Sequence, residues 1–243
     1  MSRAPSNSRI ASWFACRTLP LVAAVATLVG CAGLGSSASD RAPTTAASES
    51  ALYLDAVRGL IGQGQFYAAI AHIEEDRRSY GDTIELRLLE ADARRNLKQN
   101  RASELLYQGV LRTAPAGPLA GKARHGLGLL YAPVNLTASL RELREAARLK
   151  PTDAAIRSDY GYALMQARRF SEARLELATA QELAPGNIAA RNNLLILLFV
   201  QGEETAARQL ATQTNVDAGL LARLKQQAQS FKTAKPVGAR VGQ

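Results

Sequence analysis

The sequence is poor in aromatic residues and in the residue types that most often carry catalytic or metal-binding chemistry. Phe, Trp and Tyr make up only 5% of its 243 residues, and it contains just two cysteines and two histidines. Alanine, leucine and arginine dominate instead, without the Val, Ile, Thr and Tyr enrichment that is typical of sheets. Because small residues let helices approach closely, this composition favours stacked helices.

Motifs for the common enzyme chemistries are also missing. Cys16 and Cys31 do not form a CxxC pair, and neither His72 nor His125 belongs to a catalytic or zinc-binding pattern. The sequence has no phosphate-binding glycine loop after a strand, no nucleophile elbow and no HExxH motif. We therefore predict that the protein is not an enzyme and holds neither a metal nor a cofactor.

The chain is basic, with a net charge of +9 from 30 Lys and Arg against 21 Asp and Glu. No basic helix face and no run of alternating basic and aromatic residues accompanies this charge. The balance suits solubility near an anionic surface and does not predict nucleic acid as a partner.

The first thirty residues have the pattern of an export signal. Residues 1–17 are basic and polar, and residues 19–29 form an apolar run of about 11 residues, which is too short to span a bilayer as a helix. The run leads into Leu28-Val29-Gly30-Cys31, which resembles the bacterial lipobox. The resemblance implies that the Cys31 thiol is first joined to a diacylglycerol, that the peptide is then cleaved before Cys31, and that the new amine is acylated. An ordinary signal peptide with an incidental cysteine is the alternative.

The predicted lipid would give a stable membrane anchor, because two or more acyl chains bind a membrane stably, whereas a single chain binds only marginally. Ala32, and not Asp, follows the cysteine, which by the same resemblance implies an outer-membrane location on the periplasmic face. The segment 31–49 is rich in Gly, Ser, Ala and Thr. We expect it to act as a flexible tether.

A helical hairpin recurs through the rest of the chain. In the copy at 154–187, small residues stand at Gly161, Ala173 and Ala180, and Pro185 closes the second helix. This spacing resembles the tetratricopeptide repeat (TPR), a helix-turn-helix of about 34 residues with small residues at fixed positions. The resemblance implies an all-α solenoid of about five repeats, at 50–83, 84–117, 120–153, 154–187 and 188–221, with Pro118 and Leu119 as an insertion.

An amphipathic segment follows the repeats. Leu220, Leu221, Leu224, Ala228 and Phe231 fall on one helical face. We predict a capping helix at 217–232, which covers the last repeat, and a disordered tail at 233–243.

In the TPR family the first helix of each repeat lines a concave groove that binds partners. Carried onto this chain, the early repeats place Arg58, Leu88 and Asp92 in that groove. The predicted partner-binding residues are Arg124, Tyr131, Ser158, Tyr162, Met165, Asn192, Ile196 and Phe199. The apolar character of the later ones suits an amphipathic helix or an extended apolar segment. The alternative is that the capping helix covers Ile196 and Phe199 as core residues.

The order of parts, with a lipobox, a tether, TPR repeats and a cap, most resembles the Flp pilus assembly protein TadD family. The resemblance implies a scaffold for protein-protein interactions in Flp/Tad (type IVb) pilus assembly, with a pilotin-like role towards an outer-membrane secretin. Two alternatives stay open. One is a type IVa pilus pilotin-like lipoprotein, and the other is a general envelope adaptor that scaffolds peptidoglycan enzymes.

Overall fold

The computed structural model describes residues 42–233, with side chains from residue 49 onward. Within this range every regular element is a helix and no strand is present, so the predicted all-α class is confirmed. The predicted leader, the lipidation site at Cys31 and the tail after Thr233 lie outside the described residues.

The helices follow one another with short connections. Their bounds are α1 (Ala42–Gly62), α2 (Phe66–Tyr80), α3 (Ile84–Asn96), α4 (Asn100–Thr113), α5 (Gly117–Tyr131), α6 (Leu136–Leu149), α7 (Ala154–Gln166), α8 (Phe170–Leu183), α9 (Ile188–Gln201), α10 (Glu204–Gln213) and α11 (Ala218–Thr233). The first ten pair into five hairpins that coincide with the five copies of the repeat, and α11 follows them.

Polar residues at the starts of several helices explain why these begin where they do. The side chains of Thr83, Asn135, Asp153 and Asn187 each accept a hydrogen bond from the backbone N–H three residues later. Such caps satisfy a donor that the first helical turn leaves unpaired. Asp217 caps α11 in the same way, through the N–H of Leu220.

The first helices of the hairpins form the inner layer. Helix α1 contacts α3, α3 contacts α5, and α7 contacts α9. The second helices α2, α4, α6 and α8 each pack between their own partner and the first helix of the next hairpin. The inner layer lines a groove, as the repeat pattern predicts.

The buried side chains form three clusters along the solenoid. The N-terminal core consists of Val57, Ala69, Ile73 and Leu86. A middle core surrounds Tyr107, and a larger C-terminal core runs from Leu143 in α6 to Ala228 in α11. Close helix approach depends on glycine in the last two cores. A Cβ atom on Gly126 would lie 2.1 Å from Cζ of Tyr107, and one on Gly161 would lie 2.6 Å from Cγ of Leu177.

One boundary differs from the sequence-based expectation. Helix α1 begins at Ala42, so residues 42–49 are helical and the flexible tether was predicted too long. The reason is that this segment is rich in alanine, the strongest helix former, and its proline, Pro43, stands in the first turn, where the missing N–H costs little. The inserted Pro118 and Leu119 lie in the first turn of α5.

Among the described residues, none of the helices combines the length and apolar character that a bilayer crossing requires.

Candidate partner-binding groove

The C-terminal half of the groove is filled by the protein's own last helix. Leu224 and Ala228 of α11 are buried in the C-terminal core, where α11 packs against α9. Further along the helix, the Phe231 ring meets the Tyr162 ring edge-on, with 5.8 Å between centroids. The guanidinium of Arg168 donates a hydrogen bond of 2.8 Å to the Phe231 carbonyl oxygen. The groove of the last two repeats therefore already holds an amphipathic helix.

Four predicted groove residues are consequently inaccessible. Ser158, Met165, Ile196 and Phe199 expose only 1%, 0%, 2% and 5% of their surface. They belong to the packed interior, whereas the sequence-based expectation was that they are accessible to a partner. Ser158 accepts a hydrogen bond from Asn193 of the neighbouring inner helix. Ile196 and Phe199 lie in the core that α11 closes, which is the alternative that the sequence left open.

The other predicted residues are half-buried and engaged in polar contacts. Arg124 donates a hydrogen bond of 2.8 Å to Glu142. The Tyr131 hydroxyl donates one of 2.8 Å to Glu104, and burial together with this carboxylate raises the pKa of Tyr131. Asn192 accepts hydrogen bonds from Arg191. These residues lie on the inner layer but do not converge on one site.

An apolar cleft of about 400 Å³ opens beside the end of α11. Tyr162 and Phe231 form part of its wall, and Val134 of the α5–α6 turn stands exposed at its edge. The cleft lies between the α5–α6 turn, α7 and α11; its lining is Ala132, Pro133, Val134, Leu136, Tyr162, Met165, Gln166, Arg168, Gln227, Ser230 and Phe231. We call it the C-terminal cleft.

A second cleft, of about 290 Å³, lies in the N-terminal half of the groove, where no helix of the described chain fills it. We call it the N-terminal cleft. It has an apolar floor and charged walls of both signs; its lining is Arg58, Glu85, Leu88, Leu89, Asp92, Lys122, His125, Lys150, Asp153, Ala155 and Ile156.

Several polar side chains of the N-terminal cleft are held in place by neighbours. His125 Nε2 lies 2.7 Å from Asp159 Oδ2, and Lys150 contacts Asp153 at 2.5 Å. Burial acts to raise the pKa of Asp153, but the hydrogen bonds from Lys150 and from the Ile156 backbone outweigh it and hold the pKa below its ordinary value. The walls therefore carry fixed charges of both signs around an apolar floor.

The repeat pattern located only part of this cleft. Arg58, Leu88 and Asp92 stand at inner positions that the TPR resemblance marks. Lys150 and Asp153 come from the connection between hairpins, for which the pattern gives no signal. In the part of the chain that the structure covers, no cluster of His, Cys, Asp or Glu is arranged to hold a metal ion.

Comparison with known proteins places this geometry in a family. No protein-family model matches the sequence. The TPR repeat-containing protein PA4299 of Pseudomonas aeruginosa is 35% identical over 216 residues, which cover 88% of this chain and 85% of that protein.

Two solved structures share the fold. Pseudomonas aeruginosa pilF has a TM-score of 0.59 at 15% identity and covers 75% of this chain and 88% of its own. YrrB, a TPR protein with an unusual peptide-binding site, has a TM-score of 0.51 at 18% identity and covers 76% of this chain and 98% of its own. The predicted TPR solenoid is therefore confirmed, and the chain belongs to the family of TPR repeat-containing proteins.

Proposed function

We propose that the protein is an outer-membrane lipoprotein that scaffolds protein-protein contacts in Flp/Tad pilus assembly, with a pilotin-like role towards a secretin. A TPR scaffold for protein interactions is what its family and fold support directly. The lipobox at Cys31 and the resemblance to the TadD family support the location and the machine.

The observation that carries the binding role is the contrast between the two halves of the groove. Helix α11 fills the half formed by α7 and α9, with Leu224, Ala228 and Phe231 as its contacts. The half formed by α1, α3 and α5 keeps the N-terminal cleft open. Because a concave apolar floor with convergent polar groups is the usual form of a binding site, the partner segment belongs in the N-terminal cleft.

The lining of that cleft defines the chemistry of the segment. Leu89, which is half-buried, offers apolar contact, whereas Leu88 and Ile156 expose only 5% and 2% of their surface. Lys122 and Glu85 offer charges of opposite sign. An extended or helical segment with an apolar anchor between an acidic and a basic residue would complement it. A purely apolar segment would leave the charged walls desolvated without partners.

Site-specific photocrosslinking in the native envelope tests the binding role. A photoreactive side chain in place of Lys122, in the N-terminal cleft, is expected to capture the secretin. The matched control replaces Arg112, an exposed basic residue on the second helix α4, and is expected to capture nothing. Capture of peptidoglycan hydrolases from Lys122 would support the envelope-adaptor alternative, and equal capture at both positions would contradict a groove site.

The anchor and the pilotin-like role need separate tests. The substitution Cys31→Ser is expected to abolish incorporation of labelled fatty acid and leave the leader uncleaved; continued labelling would contradict the lipobox assignment. Deleting the gene is expected to remove secretin multimers from the outer membrane. Unchanged multimers would contradict the pilotin-like role, whatever the lipid result.

A further inference from the structure

A small cleft on the outside of the solenoid gathers three arginines around a tyrosine. It measures about 210 Å³ and lies between α6, α7 and the α7–α8 turn. Arg141, Arg144 and Thr137 come from α6, Tyr160 comes from α7, and Arg169 comes from the turn. Leu140 completes the lining. The cleft is separate from the groove and takes no part in the proposed partner binding.

Two of the arginines are oriented by glutamates but keep a free edge. Arg169 donates through Nε and Nη2 to Glu172, and Arg141 donates through Nε and Nη2 to Glu142. Both pairs leave Nη1 of the arginine without a hydrogen bond to any described residue. Holding a guanidinium in one orientation lowers the entropy that a ligand contact would cost.

Arg144 keeps more of its N–H donors available for a ligand. Its one ion pair among the described residues is with Glu145, at 3.9 Å, which is too long for a hydrogen bond. Glu145 accepts its hydrogen bond, of 2.9 Å, from Arg148 instead. The planar fork of Arg144 can therefore offer two parallel donors to an oxyanion.

Tyr160 supplies an independent sign of a missing partner. Only 6% of its surface is exposed, yet its hydroxyl takes part in no hydrogen bond of the described residues. Among the described residues, the fully enclosed side-chain atoms that lack a hydrogen-bond partner are Asp76 Oδ1 and Gln181 Oε1. The Tyr160 hydroxyl is not one of them, so it reaches the open space of the cleft. Burial raises the pKa of Tyr160 against the opposing effect of Arg169, and the hydroxyl thus stays a donor at neutral pH.

We propose that this cleft binds a phosphate group, as inorganic phosphate or as the headgroup of an anionic phospholipid. Every polar side chain that lines it can donate: three guanidinium groups and the hydroxyls of Thr137 and Tyr160. A phosphate group offers more acceptor oxygens than a carboxylate and matches the geometry of the arginine fork. Of the nearby glutamates, Glu142 and Glu172 accept hydrogen bonds from Arg141 and Arg169, and Glu176 accepts one from Arg157.

Calorimetric titration of sodium phosphate into the purified full chain tests the site, with sodium chloride of equal ionic strength as the blank. Saturable binding is expected. The substitution Arg144→Gln should weaken it about tenfold, because it removes charge-assisted hydrogen bonds. Tyr160→Phe should weaken it by about threefold, since it removes one neutral donor and keeps the packed ring.

Arg208→Gln is the matched control. Arg208 exposes 68% of its side chain, close to the 70% of Arg144, and its ion pair with Glu204 is also long, at 3.7 Å. It lies on α10 and does not line the cleft. The control should leave phosphate affinity unchanged. Equal losses of phosphate affinity in both arginine variants would overturn the proposal, because they would show general charge attraction. The absence of saturable binding to either phosphate source would overturn it as well.

Co-sedimentation with phosphatidylglycerol vesicles distinguishes the two sources. Vesicle binding that falls in Arg144→Gln but not in Arg208→Gln would identify the lipid headgroup, and saturable binding of inorganic phosphate alone would identify the free anion. A glutamate-rich peptide that binds more tightly than both and loses affinity in Arg144→Gln would overturn the proposal in favour of a carboxylate site. Thermal unfolding of each variant confirms that the fold is intact.

Discussion

At the scale of single residues, the turn inside four of the five hairpins imposes a backbone conformation that most side chains disfavour. Gly64, Lys98, Arg168 and Gly202 occupy the same position of four repeats, and all have positive φ, between 59° and 80°. Glycine adopts this left-handed conformation freely, whereas residues with a Cβ atom adopt it at a cost. Two repeats therefore meet the demand of the turn with glycine, and two hold strained residues.

Replacing Lys98 with glycine should stabilise the protein. Lys98 is exposed and has a φ of 61°, so Lys98→Gly relieves strain without removing a packed side chain. The gain in free energy of unfolding should be about 0.5–1 kcal/mol, after the greater flexibility of glycine in the unfolded chain is counted. Urea unfolding measures it. Lys98→Ala keeps the Cβ atom and serves as control; an equal gain in that variant would contradict the argument from backbone strain.

A buried carboxyl group gives the stability of the protein a pH dependence. Asp76 exposes 1% of its surface, its Oδ1 has no hydrogen-bond partner, and burial raises its pKa above the ordinary 3.8. The folded state therefore binds the proton more tightly than the unfolded state. By linkage, Asp76 costs no stability at a pH below its unfolded value, and the cost grows as the pH rises through the folded pKa.

The substitution Asp76→Asn removes this charge with little change of shape. At pH 7.5 the variant should be more stable than the wild type by about 1 kcal/mol, because an unpaired buried charge is avoided. The difference should shrink as the pH falls towards 4. Urea unfolding across this pH range measures both effects. Glu74→Gln, at an exposed position of the same helix, should show neither, and a constant difference across the range would exclude titration of Asp76 as the cause.

At the scale of elements, α11 determines how much of the groove is available. It packs on α9, contributes Leu224 and Ala228 to the C-terminal core, and ends with Phe231 against Tyr162. Lys225 lies 5.9 Å from the centre of the Phe199 ring and 2.6 Å from Glu204. These contacts tie the last helix to both helices of the fifth hairpin.

Truncating Leu224 should loosen this attachment. Leu224→Ala removes a buried side chain and should lower the free energy of unfolding by about 2–4 kcal/mol. If α11 detaches, Ile196 and Phe199 become exposed, and binding of the dye ANS should rise before the main thermal transition. Gln226→Ala, on the exposed side of α11, is the control and should change neither quantity. A loss of stability without dye binding would mean that α11 stays in place.

The positions of the helices could be predicted from the sequence because the same repeat pattern recurs in several copies. Gly161, Ala173 and Pro185 each have counterparts in other copies, and the structure places the hairpins where those positions require. The repeat pattern could not predict whether Met165 and Phe199 are accessible, because their exposure depends on how α11 packs across two repeats. Likewise, the cleft around Tyr160 combines α6, α7 and a turn, and no local spacing of residues marks such a combination.

At the scale of the described solenoid, stability is unevenly distributed. The N-terminal core has four buried apolar side chains, Val57, Ala69, Ile73 and Leu86, whereas the C-terminal core draws on five hairpin helices and α11. Because each repeat in a solenoid contacts only its neighbours, its stability is roughly the sum of its own term and the interface terms beside it. The N-terminal hairpin should therefore open more easily than the C-terminal hairpins.

Hydrogen exchange followed by mass spectrometry should reveal this gradient. Amide hydrogens of α2 should exchange faster than those of α9, because local opening costs less free energy where less apolar surface is buried. Ile73→Val, which removes one methyl group from the N-terminal core, should lower local stability by about 1 kcal/mol and speed exchange in α1–α3 several-fold. It should leave exchange in α9 unchanged, since that helix belongs to the C-terminal core.

Ile188→Val, at an exposed position, is the control for the substitution itself and should change neither region. Equal acceleration in α2 and α9 by Ile73→Val would show that the repeats open as one cooperative unit. The charged N-terminal cleft would then be as rigid as the half of the groove that α11 fills.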